Sequence, residues 1–213
     1  MRFGVDEAGK GPVFGSMWAA AVVVPRASVL PDGVDDSKRL SPERRETLAS
    51  TIYDDDRVQV GVAEIPPARI DEPETDMNSL TVAAQAEALD DAGVDGARGV
   101  VDAGDTDAAR FGRRVGDAAD GDVRVVPAHR ADESDAVVAA ASIVAKVARD
   151  AQMAALADEY GPVGSGYPSD GTTREFLADY VERTGELPPF ARESWSTCAD
   201  ALAAAEQCGL GEF

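Results

Sequence analysis

A short apolar strand that runs into two carboxylates and then into a bare glycine turn constrains this chain more than any other feature. In Met1-Arg2-Phe3-Gly4-Val5-Asp6-Glu7-Ala8-Gly9-Lys10-Gly11-Pro12-Val13-Phe14-Gly15, Phe3 and Val5 share one face of a strand over 2–6. Asp6 and Glu7 stand at its end. Neighbours on a strand point to opposite faces, so both acids reach one point only if the chain leaves the strand at Glu7, and the turn from Ala8 to Pro12 permits that. An isolated acidic hairpin would read similarly. The placement of further acids along the chain argues against it.

The alternation continues downstream. Trp18 to Val24 is a second strand, apolar on both faces and stopped by Pro25. Ser41-Pro42 opens a helix to about Tyr53, serine as cap and proline at the first helical position. A third strand over 58–64 stops at Pro66-Pro67, and a helix over about 79–92 follows, with Leu80 and Leu89 inward. Gly99-Val100-Val101-Asp102 is a fourth strand ending in an aspartate, and a helix over 107–117 leads to a fifth strand over 123–126. From Ser134 to Tyr160 the chain is helical and alanine-rich. Thr172-Thr173-Arg174-Glu175 reads as a capping box for a helix closed by Gly185, and a last helix spans about 196–206 before the tail 207–213. This order fits an α/β fold, a mixed five-stranded sheet flanked by helices, with a main domain over 1–185 and a helical C-terminal extension over 186–213.

In open α/β sheets ligands meet strand ends, so strand-terminal acids are the first candidates for chemistry. Asp6, Glu7 and Asp102 meet that test. Asp132, in His129-Arg130-Ala131-Asp132-Glu133-Ser134-Asp135, is a fourth candidate, although an acid just before a helix also reads as a cap. Four converging carboxylates need neutralising cations, and Mg2+ or Mn2+ prefer oxygen ligands of this kind. The lone His129 has no partner at zinc spacing, and no serine sits in a nucleophile elbow.

Charge composition sharpens the choice of substrate. The formal net charge is -20, with 17 Arg but only three Lys, namely Lys10, Lys38 and Lys146. Such a composition looks adapted to concentrated salt, where a screening length of roughly 3 Å at 1 M leaves a nucleic-acid partner admissible. The three lysines stand in the glycine turn, in the loop Asp35-Asp36-Ser37-Lys38 and in Ser142-Ile143-Val144-Ala145-Lys146. Compact cations beside metal-ligating acids suit a phosphate-bearing substrate. Gly9-Lys10-Gly11 lacks the spacing of a P-loop or a dinucleotide fingerprint, yet it exposes backbone groups to a close sugar or phosphate.

Taken together, Asp6-Glu7-Ala8-Gly9-Lys10-Gly11-Pro12, Asp36-Ser37-Lys38-x-Leu40, Val101-Asp102, His129-x-Ala131-Asp132, Ala140-Ala141-Ser142-Ile143-Val144-Ala145-Lys146-x-x-Arg149-Asp150 and Gly164-Ser165-Gly166-Tyr167-Pro168-Ser169-Asp170 resemble the archaeal type of ribonuclease HII. The resemblance covers about residues 2–200. It implies a ribonuclease H-like fold and cleavage of the RNA strand in RNA-DNA hybrids, including 5′ to a single ribonucleotide in duplex DNA, leaving 3′-hydroxyl and 5′-phosphate ends. It further implies that Asp6, Glu7, Asp102 and Asp132 hold two divalent ions, Mg2+ or Mn2+. By the same resemblance Gly9, Lys10 and Gly11 read the 2′-hydroxyl, and Tyr167 packs on the next sugar. Lys38 and Lys146 are expected to hold phosphates, with Ser134 and Ser142 as further phosphate candidates. The family loop is normally Gly-Arg-Gly, so Lys10 is a departure that alters phosphate contacts there. A second departure is Trp195-Ser196-Thr197, where the family often has a basic residue before the threonine.

Gln207, Leu210 and Phe213 resemble a shortened form of the peptide by which replication and repair enzymes bind the DNA sliding clamp. A monomer in the cytoplasm is expected, away from membranes, because no apolar run approaches the roughly 18 to 20 residues of a membrane span and no signal peptide precedes Asp6. The rival readings are a non-catalytic RNA-DNA binding module and a sugar-kinase or actin-like ATPase. The chain is short for the latter and lacks its phosphate loops.

Overall fold

Strands β1 (Arg2–Ala8), β2 (Met17–Val24), β3 (Gln59–Ile65), β4 (Ala97–Asp102) and β5 (Val123–Ala128) form one sheet in the order β3-β2-β1-β4-β5. β1 is antiparallel to β2 and parallel to β4, and β4 is parallel to β5. The expected mixed five-stranded sheet is thus present. The computed structural model describes residues 1–35 and 37–210, without the side chains of 208–210. Asp36 of the 36–40 motif, and Phe213 and the Leu210 side chain of the clamp-like tail, lie outside the described residues.

Helices α1 (Pro42–Tyr53), α2 (Pro67–Ile70), α3 (Met77–Asp91), α4 (Ala108–Ala118), α5 (Ala136–Tyr160), α6 (Gly171–Thr184) and α7 (Ser196–Leu210) complete the described fold. The packing divides it into two compact units, the first made of residues 1–10, 17–64 and 76–148. There Ala20, Val22 and Val24 of β2 pack with Ile52 of α1 and with Val137, Ala140, Ala141 and Val144 of α5. Gly4 of β1 makes this close approach possible, since a Cβ there would lie 2.4 Å from the Val137 and Val138 backbone. On the other face α3 lies over β1 and β2, and α4 over β5.

The second unit comprises residues 11–16, 65–75 and 149–213. Its core gathers Val13, Phe14, Met153, Val163, Leu177, Val181, Phe190 and Cys198. The Phe14 ring meets Phe176 and Phe190 edge-on at 5.8 and 5.2 Å, a favourable quadrupole arrangement. Residues 149–185 therefore group with the C-terminal helix, because Leu177 and Val181 of α6 share a core with Cys198 of α7, whereas sequence reading drew a line at 185.

Several helix ends differ from expectation for local reasons. α6 is capped by Asp170, whose carboxylate accepts from Thr172 N, and no Thr172 capping box forms. Thr173 is buried instead, donating to Val163 O and accepting from Gly166 N. α3 starts at Met77 because Asp76 accepts from Asn78 N and Ser79 N. Pro66-Pro67 ends β3 as expected and also opens the short α2. α7 continues to Leu210, so 207–210 is helix rather than tail. Among the described residues, no helix is long and apolar enough to cross a membrane.

Candidate active site

β1 does not end at Glu7. It pairs with β2 through Glu7↔Ala19 and Ala8↔Trp18, which corrects the expectation that the chain leaves the strand there. The period of two then sends the acids to opposite faces. Asp6 shares a face with Gly4 and lies toward α5, where Ser142 hydrogen-bonds it; Glu7 shares a face with Phe3 and Val5 and lies toward α3. The Glu7 backbone N–H also donates to Asp6 Oδ1 at 2.8 Å.

Asp102 ends β4, one residue beyond the Val5↔Val101 pair, and so stands beside Asp6. Its Oδ1 accepts from Ala131 N at 2.8 Å, which fastens the segment after β5 to the end of β4. That segment turns through Arg130, whose φ of 52° and ψ of 43° are left-handed, and then forms a 3-10 turn over Ala131–Glu133. Arg130 is the one described non-glycine residue with positive φ, a strained conformation of a kind that persists at functional sites. The turn buries Asp132 at 5% exposure. The cap of α5 is Asp135, which accepts from Val137 N and Val138 N, so Asp132 is not consumed as a helix cap.

Burial and mutual repulsion govern these acids. Asp6 is raised well above the usual carboxylate range by burial, then by Glu7 and Asp102. Glu7 is pushed up to about 7, chiefly by burial and further by Asp102, against the Gln85 hydrogen bond and the charges of Lys10 and Lys38. Asp102 is raised by burial and by Asp132, against the Ala131 hydrogen bond and Lys38. Carboxyls that resist ionisation in one place are a demand for positive charge.

The cations are unequal. Lys38 is 78% exposed with Nζ 3.6 Å from Asp132 Oδ2. Its loop is held from beneath: the buried Ser37 hydroxyl bonds Ser142 Oγ at 2.9 Å, and Arg45 donates to Ser37 O and Leu40 O. Lys146 is half-buried on α5, and Ser134 is exposed after the 3-10 turn. Lys10 Nζ donates to Gly104 O at 2.6 Å and Asn78 Oδ1 at 3.0 Å, so it braces the region of Glu7. Ser142 is likewise inward, between Asp6 and Ser37.

In the second unit, Gly11–Ser16 is secured by its own bonds. Val13 N donates to Gly166 O at 2.7 Å, Arg192 N to Val13 O at 2.8 Å, and Trp195 Nε1 to Gly11 O at 3.3 Å. A Cβ on Gly11 would come no nearer than 3.9 Å, to the Tyr167 ring, which is ordinary contact. Tyr167 is 40% exposed and lies under Arg149, whose guanidinium carbon is 5.0 Å from the ring centroid. Arg149 itself is buried and donates to Ser165 O at 2.8 Å.

Sequence reasoning missed the supporting groups. Gln85, fully buried on α3, donates to Glu7 Oε2 at 2.7 Å and to Asp102 O at 2.9 Å. A polar residue among Leu80, Ala84, Ala88 and Leu89 was the available signal, together with Asn78 seven residues earlier on the same helix face. Arg149 lay inside a quoted motif without a role.

The donor set fits hard divalent ions: oxygen ligands only, from two strand ends and an adjoining turn, with repelling charges. Among the described residues, no three carboxylate, imidazole or thiol groups close on a single point as they stand. Each of three acids has a partner of its own: Gln85 donates to Glu7, Ala131 N to Asp102, and Lys38 pairs with Asp132.

The sequence matches the family Ribonuclease HII over residues 3–198. Ribonuclease HII of Haloarcula marismortui is 66% identical over 213 residues, covering 100% of both chains. Among solved structures, ribonuclease H2 from Pyrococcus horikoshii superposes with TM-score 0.90 at 36% identity, covering 97% of this chain and 99% of that one. The structure of a PCNA:RNase HII complex from Archaeoglobus fulgidus gives 0.84 at 35%, over 94% and 96%. Bst-RNase HIII in complex with Mn2+ gives 0.72 at 25%, over 97% of this chain and 70% of that one.

Proposed function

The chain belongs to the ribonuclease HII family, nucleases of the ribonuclease H-like fold, and from that premise we propose that it cuts the RNA strand of RNA-DNA hybrids and nicks duplex DNA 5′ to a single embedded ribonucleotide. The ends left would be a 3′-hydroxyl and a 5′-phosphate. The observation that supports this reading is that Asp6, Glu7, Asp102 and Asp132 stand near the ends of β1 and β4 and in the turn after β5, close enough for Glu7 and Asp102 to raise Asp6 and for Asp132 to raise Asp102.

Asp6, Glu7, Asp102 and Asp132 would hold two divalent ions, Mg2+ or Mn2+, which when bound supply an activated water and positive charge against the scissile phosphate. Lys38, exposed next to Asp132, offers its ammonium to a substrate phosphate, and Lys146 to a flanking one. Lys10 is engaged by Gly104 and Asn78, so its charge bears on Glu7 while the loop backbone meets the sugar.

Recognition of the ribose is assigned to Gly9, Lys10 and Gly11. Gly9, at φ 89°, turns the chain as few other residues could, whereas nothing in the fold demands a bare position at Gly11. A site built to bond a 2′-hydroxyl leaves its own polar groups unpaired against deoxyribose, and that asymmetry discriminates strongly. Tyr167, set by Arg149, is assigned the sugar that follows. The C-terminal Gln207, Leu210 and Phe213 are assigned to a sliding clamp, supported by the clamp complex of the Archaeoglobus relative.

The test is cleavage of a labelled DNA duplex with one ribonucleotide, alongside a long RNA-DNA hybrid, with Mg2+ or Mn2+ in concentrated KCl. A nick on the 5′ side of the ribonucleotide, with a 3′-hydroxyl on one fragment and a 5′-phosphate on the other, is expected. Binding of both substrates without any cut would favour the binding-module reading.

A further inference from the structure

Gln85 is a fully buried glutamine in the apolar run of α3, and its amide stands between two of the four acids. Nε2 uses both of its hydrogens on the site, one for Glu7 Oε2 at 2.7 Å and one for Asp102 O at 2.9 Å. Turning the amide over would set Oε1 against the Asp102 carbonyl and the ionised Glu7 carboxylate, so the orientation that serves both acceptors is the one with Nε2 toward them. The consequence for Oε1 is that it is buried with no hydrogen-bond partner among the described residues. A leucine or methionine would fill the same volume without stranding a polar atom. Packing alone therefore does not account for glutamine at this position.

The rest of the helix face supports the same task. Asn78, two turns earlier, accepts from Lys10, and Lys10 also grips Gly104 O, two residues beyond Asp102. β1 and β4 are thus tied at their carboxylate ends from α3, on the Glu7 side, by two bridges. Glu7 would otherwise repel Asp6 and Asp102 and swing away from them.

We propose that Gln85 is a positioning residue for divalent-ion binding, its amide holding the Glu7 carboxylate beside the end of β4. The inference rests on the proposed function, since it takes Glu7 as an ion ligand. Partners of this kind behind a ligand commonly change metal affinity by about 10- to 100-fold when removed.

Calorimetric titration of Mn2+ into the metal-free protein tests it, with wild type compared to Gln85→Met, which keeps the volume and loses both donors. Hybrid cleavage is followed in parallel over a Mn2+ series. The expected result is Mn2+ binding weakened about 10-fold or more in Gln85→Met, a matching shift of the activity curve to higher Mn2+, and an unchanged KM for the hybrid at saturating ion. Gln85→Asn keeps the amide but draws it back by a methylene, and it carries the test if Gln85→Met does not fold. Mn2+ affinity within about twofold of wild type would overturn the proposal, as would a raised KM at unchanged Mn2+ affinity. Failure of wild type itself to bind Mn2+ or to cut would instead sink the proposed function.

Discussion

Adjacent residues on a strand face opposite ways, and the end of β1 uses both directions. Asp6 is held from the α5 side by Ser142, and Glu7 from the α3 side by Gln85. Because burial raises Glu7 from 4.5 to about 7, its protonated form stabilises the metal-free fold. That contribution is fully present below about 4.5 and disappears as pH rises through about 7. The metal-free protein is therefore expected to lose thermal stability between pH 5 and 8, and Glu7→Gln to flatten the loss. Added Mn2+ binds the ionised form and is expected to oppose it, so calorimetric scans with and without the ion check the sign. Tyr167→Ala is expected to reduce nicking at an isolated ribonucleotide about 10-fold while sparing a long hybrid more, since burying an aromatic-sized apolar side chain is worth about 1.5 to 3 kcal/mol in full and the sugar contact is part of that. Equal losses on both substrates would remove the junction role. The placement of Asp6 and Asp102 near strand ends was legible in the sequence, because apolar runs that stop at an acid leave a mark there. Gln85, Asn78 and Arg149 were not, since a polar residue buried in a helix announces no partner until the sheet is assembled.

Elements set how closely those residues stand. α5 brings Ser142 to Asp6 only because Gly4 allows the helix onto the sheet. Gly4→Ala is expected to destabilise the chain by about 3 kcal/mol, measured by denaturant unfolding, because backbone atoms at 2.4 Å have nowhere to yield. After β4, Asp105 receives Arg110 Nη2 at 2.5 Å as well as Asp107 N, and its carboxyl falls to about 2. A lowered pKa stabilises above the unfolded value and is lost as pH falls through the folded one. The stability gap between wild type and Asp105→Asn is thus expected to hold above pH 5 and shrink from about 4 toward 2. At this scale the five strands along the chain and most helices were legible, while their order in the sheet and the helix caps were not. Asp170 took the role read into Thr172-Thr173, and Asp135 the cap position that left Asp132 for the site.

For the whole molecule, the net charge of -20 opposes compaction in dilute salt. The melting temperature is expected to rise as KCl goes from 0.2 to 2 M, since roughly 3 Å of screening length at 1 M suppresses repulsion among separated acids. Removal of residues 207–213 is expected to abolish clamp binding in a pull-down with purified clamp and to leave hybrid cleavage unchanged. The two packing units were not legible, because residues 11–16 join a core otherwise built from the last third of the chain. Such long-range grouping leaves no local pattern. If carboxylates at the sheet end hold the divalent ions proposed above, nicking beside a ribonucleotide depends on both the ion and those acids. The most direct measurement is the rate of nicking of a single-ribonucleotide duplex by wild type and folded Asp6→Asn, each with Mn2+ and with chelator. Wild type is expected to nick only with the ion, and Asp6→Asn to be slower by about 100-fold or more. Nicking that survives chelation, or an Asp6→Asn rate equal to wild type, would contradict the claim.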